Sequence, residues 1–241
     1  MAQNKQKKTL WRNTIRAGFY ACCLFFITSL FYTIYLKWMP PVTTLLMVKR
    51  SFEAKRNDGS STRSILCKWR SYDQISDQAK LAVIAEEDQN FSTHHGFDID
   101  AIEQAFKHDL KGKKIRGGST ISQQVAKNIF LWNGRSWVRK GLEVYFTFLI
   151  ETIWGKKRIL QMYLNVAEMG NGIFGVEAAS EKYFKKNALS VNKAEAAMLA
   201  TILPNPIMYN ALHPSAYMLR KQGRVEWAMQ KIGGVSYLDD L

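Results

Sequence analysis

An acidic cluster at the end of an apolar stretch is the first candidate for chemistry. Glu86, Glu87 and Asp88 follow the segment LAVIA, and at helical spacing Glu87 lies on the same stripe as Val83 and Phe91. A carboxylate among apolar groups loses hydration, which raises its pKa and makes it a better base near neutral pH. Glu87 is therefore a candidate general base. A frayed helix end whose acids pair with nearby basic residues explains the pattern equally well.

Two adjacent histidines follow this cluster. His94 and His95, with Asp98 and Asp100 close behind, offer nitrogen and oxygen atoms that metal ions bind. Their spacing matches no recognised metal motif, and two neighbouring histidines do not easily face one ion. We therefore predict no metal ligation by the histidines.

A second candidate is the glycine-rich entry to a predicted helix. Gly118 precedes Ser119 and Thr120, and the free N–H groups at the start of the helix suit an anionic group. It is not a Walker loop, because Gly118 stands where that loop has lysine. Ser119, Gln123 and Lys127 are predicted to line one polar side of the helix. An ordinary capped helix with a solvated face would show the same pattern.

A third candidate lies on a helix that is apolar on nearly every side. Glu143 follows Arg139 by four residues, with Lys140 between them. A carboxylate in such surroundings needs a cation, so Glu143 is either buried and paired with Arg139 or faces a cleft. Because the helix has little polar surface, we favour the cleft.

The chain ahead of these residues predicts a membrane anchor. Residues 17–36 contain no charge and are long enough to cross a bilayer as a helix, and five basic residues precede them. The positive-inside rule places residues 1–16 in the cytoplasm as a basic tail. Residues 37–70 are expected to form a juxtamembrane connector with one short strand, and residues 71–241 a single domain. A cleaved signal peptide is the alternative reading of 17–36.

Beyond residue 71 the pattern predicts a mostly α-helical fold. Ser76 and the Asn192–Glu195 pair are expected to cap helices. The net charge of +14 favours an anionic partner. The helices are predicted over residues 76–91, 100–110, 119–132, 136–154, 156–169, 176–184, 192–203 and 215–232.

Five segments, in order, resemble the motifs of the peptidoglycan glycosyltransferases. These are EDQNFSTHHG, GGSTISQQ, RKGLE, KKRILQMYLN and GIFGVEAASEKYF, which begin at residues 87, 117, 139, 156 and 172. Their order and spacing, and the short chain that follows, are similar to the monofunctional biosynthetic transglycosylases of glycosyltransferase family 51. One departure is Gln161, which stands where the fourth motif of that family usually carries an acid.

The resemblance implies a lysozyme-like helical domain that polymerises lipid II into β-1,4 glycan strands and releases undecaprenyl diphosphate. Glu87 matches the general base of the family, and Glu143 its second essential acid. Lys127, Arg135, Arg139 and Lys140 are candidates for diphosphate contacts. The other expected substrate-binding residues are Asp88, Phe91, His94, Gly118, Ser119, Thr120, Gln123, Gln124, Asn128 and Asn165.

The resemblance also implies the surroundings of the reaction. A divalent cation, magnesium or manganese, is expected to bridge the diphosphate and to approach Glu87, and no organic cofactor is expected. Lipid II, the growing glycan strand and membrane lipid are the expected partners, with the 129–132 run and Trp137 as a membrane contact or as core. Proteins of cell division or cell-wall synthesis are candidate partners.

The expected location is the bacterial cytoplasmic membrane, crossed once, with the catalytic domain in the periplasm. That placement argues against a nucleic-acid partner. The alternative function is a membrane-anchored lytic glycosidase on the same fold.

Overall fold

A computed structural model describes residues 2–58, 65–99, 103, 118–134 and 136–241. The chain divides into two compact units, Met1–Met39 and Pro40–Leu241. The helix predicted over 100–110 lies outside the described residues, apart from residue 103.

The first unit contains one long helix, α1 (Ala2–Leu36). Its segment Trp11–Leu36 has 26 residues and is long and apolar enough to cross a membrane. The helix ends at the residue where the predicted span ends, and it begins earlier because the polar tail continues the same helix. Its length and composition fit a single-pass anchor.

The second unit is mostly helical, which confirms the predicted fold class. Its helices are α2 (Leu45–Asp58), α3 (Asp77–Glu87), α4 (Ile121–Phe130), α5 (Trp137–Ile153), α6 (Lys156–Val166), α7 (Gly175–Phe184), α8 (Lys193–Ile202) and α9 (Ala216–Lys231). Two short strands, β1 (Leu66–Cys67) and β2 (Ile173–Phe174), pair in parallel, with Leu66 opposite Ile173. Short 3-10 helices occupy Tyr72–Gln74, Ala188–Ser190 and Gly234–Asp240.

The predicted connector over 37–70 contains the expected short strand, β1, but it also contains the 14-residue helix α2, which the sequence did not predict. Tertiary contacts stabilise this helix. Met47 is buried, and Arg50 forms an ion pair with Glu168, just beyond α6, at 2.8 Å between Nε and Oε1. Since basic residues interrupt its apolar positions, the sequence alone gave a weak helical pattern.

Side-chain caps begin the helices where the sequence predicted them. The Ser76 hydroxyl accepts a hydrogen bond from the Ala79 N–H. Asn192 and Glu195 form a reciprocal capping box at the start of α8. Caps of this kind satisfy N–H groups that the helix leaves free, and each contributes about 1 kcal/mol.

Helix α3 runs through the core and ends at the candidate base. Every residue from Ala79 to Ala85 is buried, and the helix packs against α8 and α9. Helix α4 packs against α5 and α6, where Phe130 stacks on Phe146 at 4.3 Å between ring centroids. Close-packed elements of this kind hold the residues at their ends in fixed positions.

The last 3-10 helix holds the loop that follows α3. The Tyr237 hydroxyl donates to the Gln89 carbonyl at 3.0 Å and accepts from the Ser92 N–H at 2.9 Å. Leu238 beside it is buried. The C-terminal segment therefore fixes the loop next to Glu87.

Replacing this tyrosine in Tyr237→Phe is expected to loosen the loop while the ring still packs. The loss of two hydrogen bonds should cost about 1–2 kcal/mol. The Ser92 amide should exchange with deuterium faster, while amides in α8 keep the protection of the unchanged protein. Unaltered exchange at Ser92 would contradict this role of Tyr237.

Candidate active site

Glu87, the last residue of α3, lies at the edge of a groove of about 200 Å³. Its Oε2 accepts a hydrogen bond of 2.6 Å from the side-chain amide of Gln124 on α4. Its Oε1 accepts no hydrogen bond from the described residues. The groove is lined by Glu87, Asp88, Gln89, Asn90, Asp98, Gly118, Ser119 and Thr120.

Burial raises the pKa of Glu87 above its usual value, as the apolar stripe predicted. The hydrogen bond from Gln124 acts in the opposite direction, the charge of Glu86 raises the pKa further, and the charges of Lys221 and Lys127 lower it. Lys221 itself forms an ion pair with Glu86, at 2.5 Å between Nζ and Oε1. Because burial disfavours its charged form, Glu87 accepts a proton more readily than an exposed glutamate does.

Asp88 is a predicted substrate contact, but its carboxylate is directed toward His94 and the start of α4. It accepts hydrogen bonds from His94 Nε2 at 2.9 Å and from the Ile121 N–H at 2.9 Å. Because the Gly96 N–H donates to His94 Nδ1, the proton of the neutral imidazole is assigned to Nε2. Both side chains are buried. Asp88 and His94 therefore join the first two motifs together.

Gly96 and Thr120 complete this junction. The Thr120 hydroxyl donates to the Gly96 carbonyl at 2.7 Å and also accepts from the Gln123 N–H, as the cap of α4. Gly96 has a φ of +89°, and a Cβ there would lie 2.7 Å from Thr147 Cγ2, so a side chain does not fit. Phe91, another predicted substrate contact, is fully buried beneath the loop. Thr120 thus lines the groove, whereas Phe91 belongs to the core.

The polar face of α4 is not the one that the spacing predicted. Gln123 is buried because its side chain completes the capping box with Thr120. The partly exposed polar positions are Gln124, Lys127 and Asn128, which share one face. The helix begins at Ile121, so Ser119 lies before it and, with Gly118, is exposed in the groove. Glu87 accordingly accepts its hydrogen bond from Gln124, the second glutamine of the GGSTISQQ motif.

Glu143 is buried and paired, which differs from the open position in a cleft that the sequence favours. Its Oε2 lies 2.8 Å from Arg139 Nη1, and its Oε1 lies 2.5 Å from Lys140 Nζ. The side chain is only 5% exposed. Because isolated charge is costly in the interior, two cations of the same helix offset it. The Nε of Arg139 is buried and has no hydrogen-bond partner in the described structure.

Lys127 links this charge cluster to the base. Burial lowers the pKa of Lys127, and the negative charges of Glu143 and Glu87 raise it. Lys127 therefore lies within electrostatic reach of both carboxylates. Arg135, the remaining candidate for a diphosphate contact, lies outside the described residues.

Asn165 lies away from the groove of Glu87. Its amide donates to the carbonyls of Arg70 and Gln161, and its oxygen accepts from the Arg70 N–H at 2.7 Å. Gln161 contacts the same region, donating to the Arg70 carbonyl and accepting from Arg158. Both side chains hold the segment after β1 against α6. The substrate contact predicted for Asn165 stays a prediction, and in this structure its polar side-chain atoms bind backbone.

Two residues near the base were not identified from the sequence. The Tyr163 hydroxyl on α6 donates to Gln124 Oε1 at 3.2 Å, and Lys221 on α9 pairs with Glu86. Tyr163 belongs to the KKRILQMYLN motif, which is a signal that could have flagged it. Lys221 belongs to no recognised motif. Only the packing of α9 on α3 brings it close.

A family model described as Transglycosylase matches residues 57–231. This chain belongs to the transglycosylase family. A biosynthetic peptidoglycan transglycosylase of Pseudomonas savastanoi pv. phaseolicola is 47% identical over 213 residues, which cover 88% of this chain and 89% of that protein. Proteins with the same description from Pseudomonas aeruginosa and Pasteurella multocida are 45% and 44% identical, over 94% and 93% of this chain and 97% and 91% of their own lengths.

The segment shared with the family contains the groove and the charge cluster of this transglycosylase. It begins within α2 and ends with α9, so the 3-10 helix that carries Tyr237 follows it. The common part of the fold thus brings together Glu87, Gln124, Lys127 and Glu143.

Asp88→Asn tests whether the inward-facing carboxylate holds the transglycosylase site together. An amide has one acceptor oxygen for the two donors, so we expect a loss of about 1–3 kcal/mol in unfolding free energy. Asp240→Asn is the control, because Asp240 is exposed and forms no ion pair among the residues that the structure describes. It should change stability by about 0.5 kcal/mol or less. Thermal unfolding followed by circular dichroism measures both, and equal effects would contradict the assignment.

Proposed function

We propose that this transglycosylase polymerises lipid II into linear β-1,4 glycan strands, with Glu87 as general base. The observation that carries the proposal is the position of Glu87, poorly solvated at the edge of a groove and within electrostatic reach of the partly exposed Lys127. A glycosyl transfer to a sugar hydroxyl needs a base on one side of the reacting carbon and positive charge on the other.

In the proposed reaction, the 4-hydroxyl of an acceptor sugar attacks the anomeric carbon of the lipid-linked donor. Glu87 takes the hydroxyl proton as the new carbon–oxygen bond forms. The bond between the anomeric carbon and the diphosphate oxygen breaks, and undecaprenyl diphosphate leaves with the bonding electron pair. The carboxylate then returns the proton to water.

The cations around Glu143 are suited to the leaving diphosphate. Lys127 and Lys140 are partly exposed, and Arg139 retains a buried Nε–H without an acceptor. Glu143 holds Arg139 and Lys140 in place, so its role is to position positive charge. A lytic glycosidase cleaves between sugars and needs no diphosphate site. The cations around Glu143 would therefore have no function in a lytic glycosidase.

The residues of this site suit a divalent cation that is bound mainly by the diphosphate of the substrate rather than by the protein. Within the described residues, no group of three or more His, Cys, Asp or Glu side chains could hold a metal ion. Both carboxylate oxygens of Asp88 accept hydrogen bonds from His94 or Ile121, whereas Glu87 Oε1 accepts none from the described residues. Magnesium commonly binds in this way, through substrate phosphates, water and one or two carboxylates. When bound, it would neutralise charge on the diphosphate.

The proposed location is the bacterial cytoplasmic membrane, with α1 as the anchor and the second unit in the periplasm.

The residues of the 129–132 run lie in two different environments. Ile129 and Leu131 are buried, whereas Trp132 is 45% exposed. On α5, Trp137, Val144 and Phe148 form one exposed apolar stripe. We assign Trp132 and this stripe to contact with membrane lipid, next to a substrate whose tail stays in the bilayer.

Glu87→Gln is expected to reduce glycan synthesis from labelled lipid II by at least about 10²-fold, because an amide cannot accept the proton. Thermal stability should be unchanged or higher, since burial disfavours the charged form that the change removes. The activity of the unaltered protein should fall as the pH drops through the raised pKa of Glu87, because the base must be ionised.

Glu86→Gln is the matched control on the neighbouring residue. It should retain polymerisation and move the acid limb of the pH profile to lower pH, since a nearby negative charge is removed. Long glycan made by Glu87→Gln, or shortened strands released from cell-wall sacculi by the unaltered protein, would overturn the proposed function.

Removal of divalent ions with EDTA is expected to lower the rate of polymerisation, and magnesium or manganese should restore it. The expected cause is loss of charge neutralisation on the diphosphate. The melting temperature of the protein alone should not change on EDTA treatment. A rate that is equal with and without EDTA would contradict the cation requirement.

A further inference from the structure

Tyr163 contacts the base through one intermediate side chain. Its hydroxyl donates to Gln124 Oε1 at 3.2 Å, and Gln124 Nε2 donates to Glu87 Oε2 at 2.6 Å. We infer that Tyr163 is a positioning residue that fixes the Gln124 amide with its NH₂ group facing Glu87. This inference rests on the proposed function of Glu87 as general base.

The direction of the amide follows from the burial of the phenol. Tyr163 is 2% exposed, and its hydroxyl hydrogen needs an acceptor. Among the residues that the structure describes, Gln124 Oε1 is the one acceptor within hydrogen-bond distance. If the amide turned over, the hydroxyl would face an NH₂ group and its own hydrogen would lack a partner, a loss of a buried hydrogen bond.

The phenol is a permanent donor. Burial raises its pKa well above the usual value, and the negative charges of Glu87, Glu86 and Asp88 raise it further. The hydroxyl therefore keeps its proton near neutral pH, where it donates to Gln124.

The orientation of the amide matters because its two ends have opposite effects on Glu87. The NH₂ group stabilises the ionised carboxylate, whereas the amide oxygen would stabilise the protonated acid. The other charged groups facing Glu87 are Glu86 on its own helix, Lys221 on α9 and Lys127 on α4. None of them bonds Tyr163 in the described structure. A change in the Tyr163 hydroxyl should therefore reach the base through Gln124.

The test is the pH dependence of kcat/KM for Tyr163→Phe, measured on the full chain with labelled lipid II. We expect the acid limb to move to higher pH, with a loss of about three- to tenfold on that limb, equivalent to a shift of ~0.5–1 pH unit. At higher pH, where Glu87 is ionised in both proteins, the rates should converge. A purely structural defect would lower the rate equally at every pH.

Tyr183→Phe is the matched control. Tyr183 is half-buried, and its hydroxyl donates to the Met169 carbonyl at 3.1 Å, away from the groove. Removing this hydroxyl should leave the acid limb where it is. Thermal unfolding of both variants establishes that they fold.

The pair Gln124→Ala and Gln124→Ala/Tyr163→Phe tests the route of the effect. Without Gln124, the loss of the hydroxyl should add no further shift. A shift that persists in this background, or a Tyr163→Phe profile that is lowered uniformly, would overturn the inference. If Tyr163→Phe does not fold, 3-fluorotyrosine is incorporated at position 163 instead. Because its hydroxyl is a stronger donor, the acid limb should move to lower pH. An acid limb that does not move would overturn the inference.

Failure of the proposed function gives a different result. In that case Glu87→Gln keeps its activity, or the unaltered protein shows no acid limb. If Glu87→Gln is inactive and the limb of Tyr163→Phe stays in place, the function stands and the role of Tyr163 does not.

Discussion

The structure depends on keeping one carboxylate poorly solvated without giving it a cation as direct partner. Several other buried acids of the described chain have such partners. Glu143 pairs with Arg139, Glu168 with Arg50, and Glu151 with Lys156. Glu87 instead receives a hydrogen bond from a neutral amide, and no ion pair to it is found among the described residues. This difference leaves its pKa raised, which is the condition for a general base near neutral pH.

Such a group is costly, and the surrounding fold is built rigidly enough to hold it. Helix α3 is buried along almost its full length, so its end cannot move freely. Asp88 joins the first motif to the start of α4, and Tyr237 holds the following loop from the C-terminal side. Strained or unfavourable arrangements persist at active sites when the surrounding contacts over-determine them. Here the contacts come from α4, α9 and the last 3-10 helix.

Positive charge lies near the base without forming an ion pair with it in the described structure, which suits the proposed contact with the diphosphate. Arg139 and Lys140 lie on α5 and are held by Glu143, while Lys127 interacts with both Glu143 and Glu87. A salt bridge between Lys127 and Glu87 would lower the pKa of the base, and the described structure contains none. The arrangement separates proton acceptance from stabilisation of the leaving group, as the proposed glycosyl transfer requires.

The sequence by itself determined the helical class, most helix boundaries, the capping residues and the candidates Glu87 and Glu143, because these follow from periodicity and local chemistry. It also determined the family, through motifs whose order it preserves. Only the tertiary structure decided which way the polar side chains point. It turned Asp88 and His94 inward, placed Gln124 rather than Gln123 on the base, and buried Glu143. It also brought Tyr163 and Lys221 near Glu87. These outcomes depend on contacts between residues distant in the chain, which spacing along a single helix does not encode.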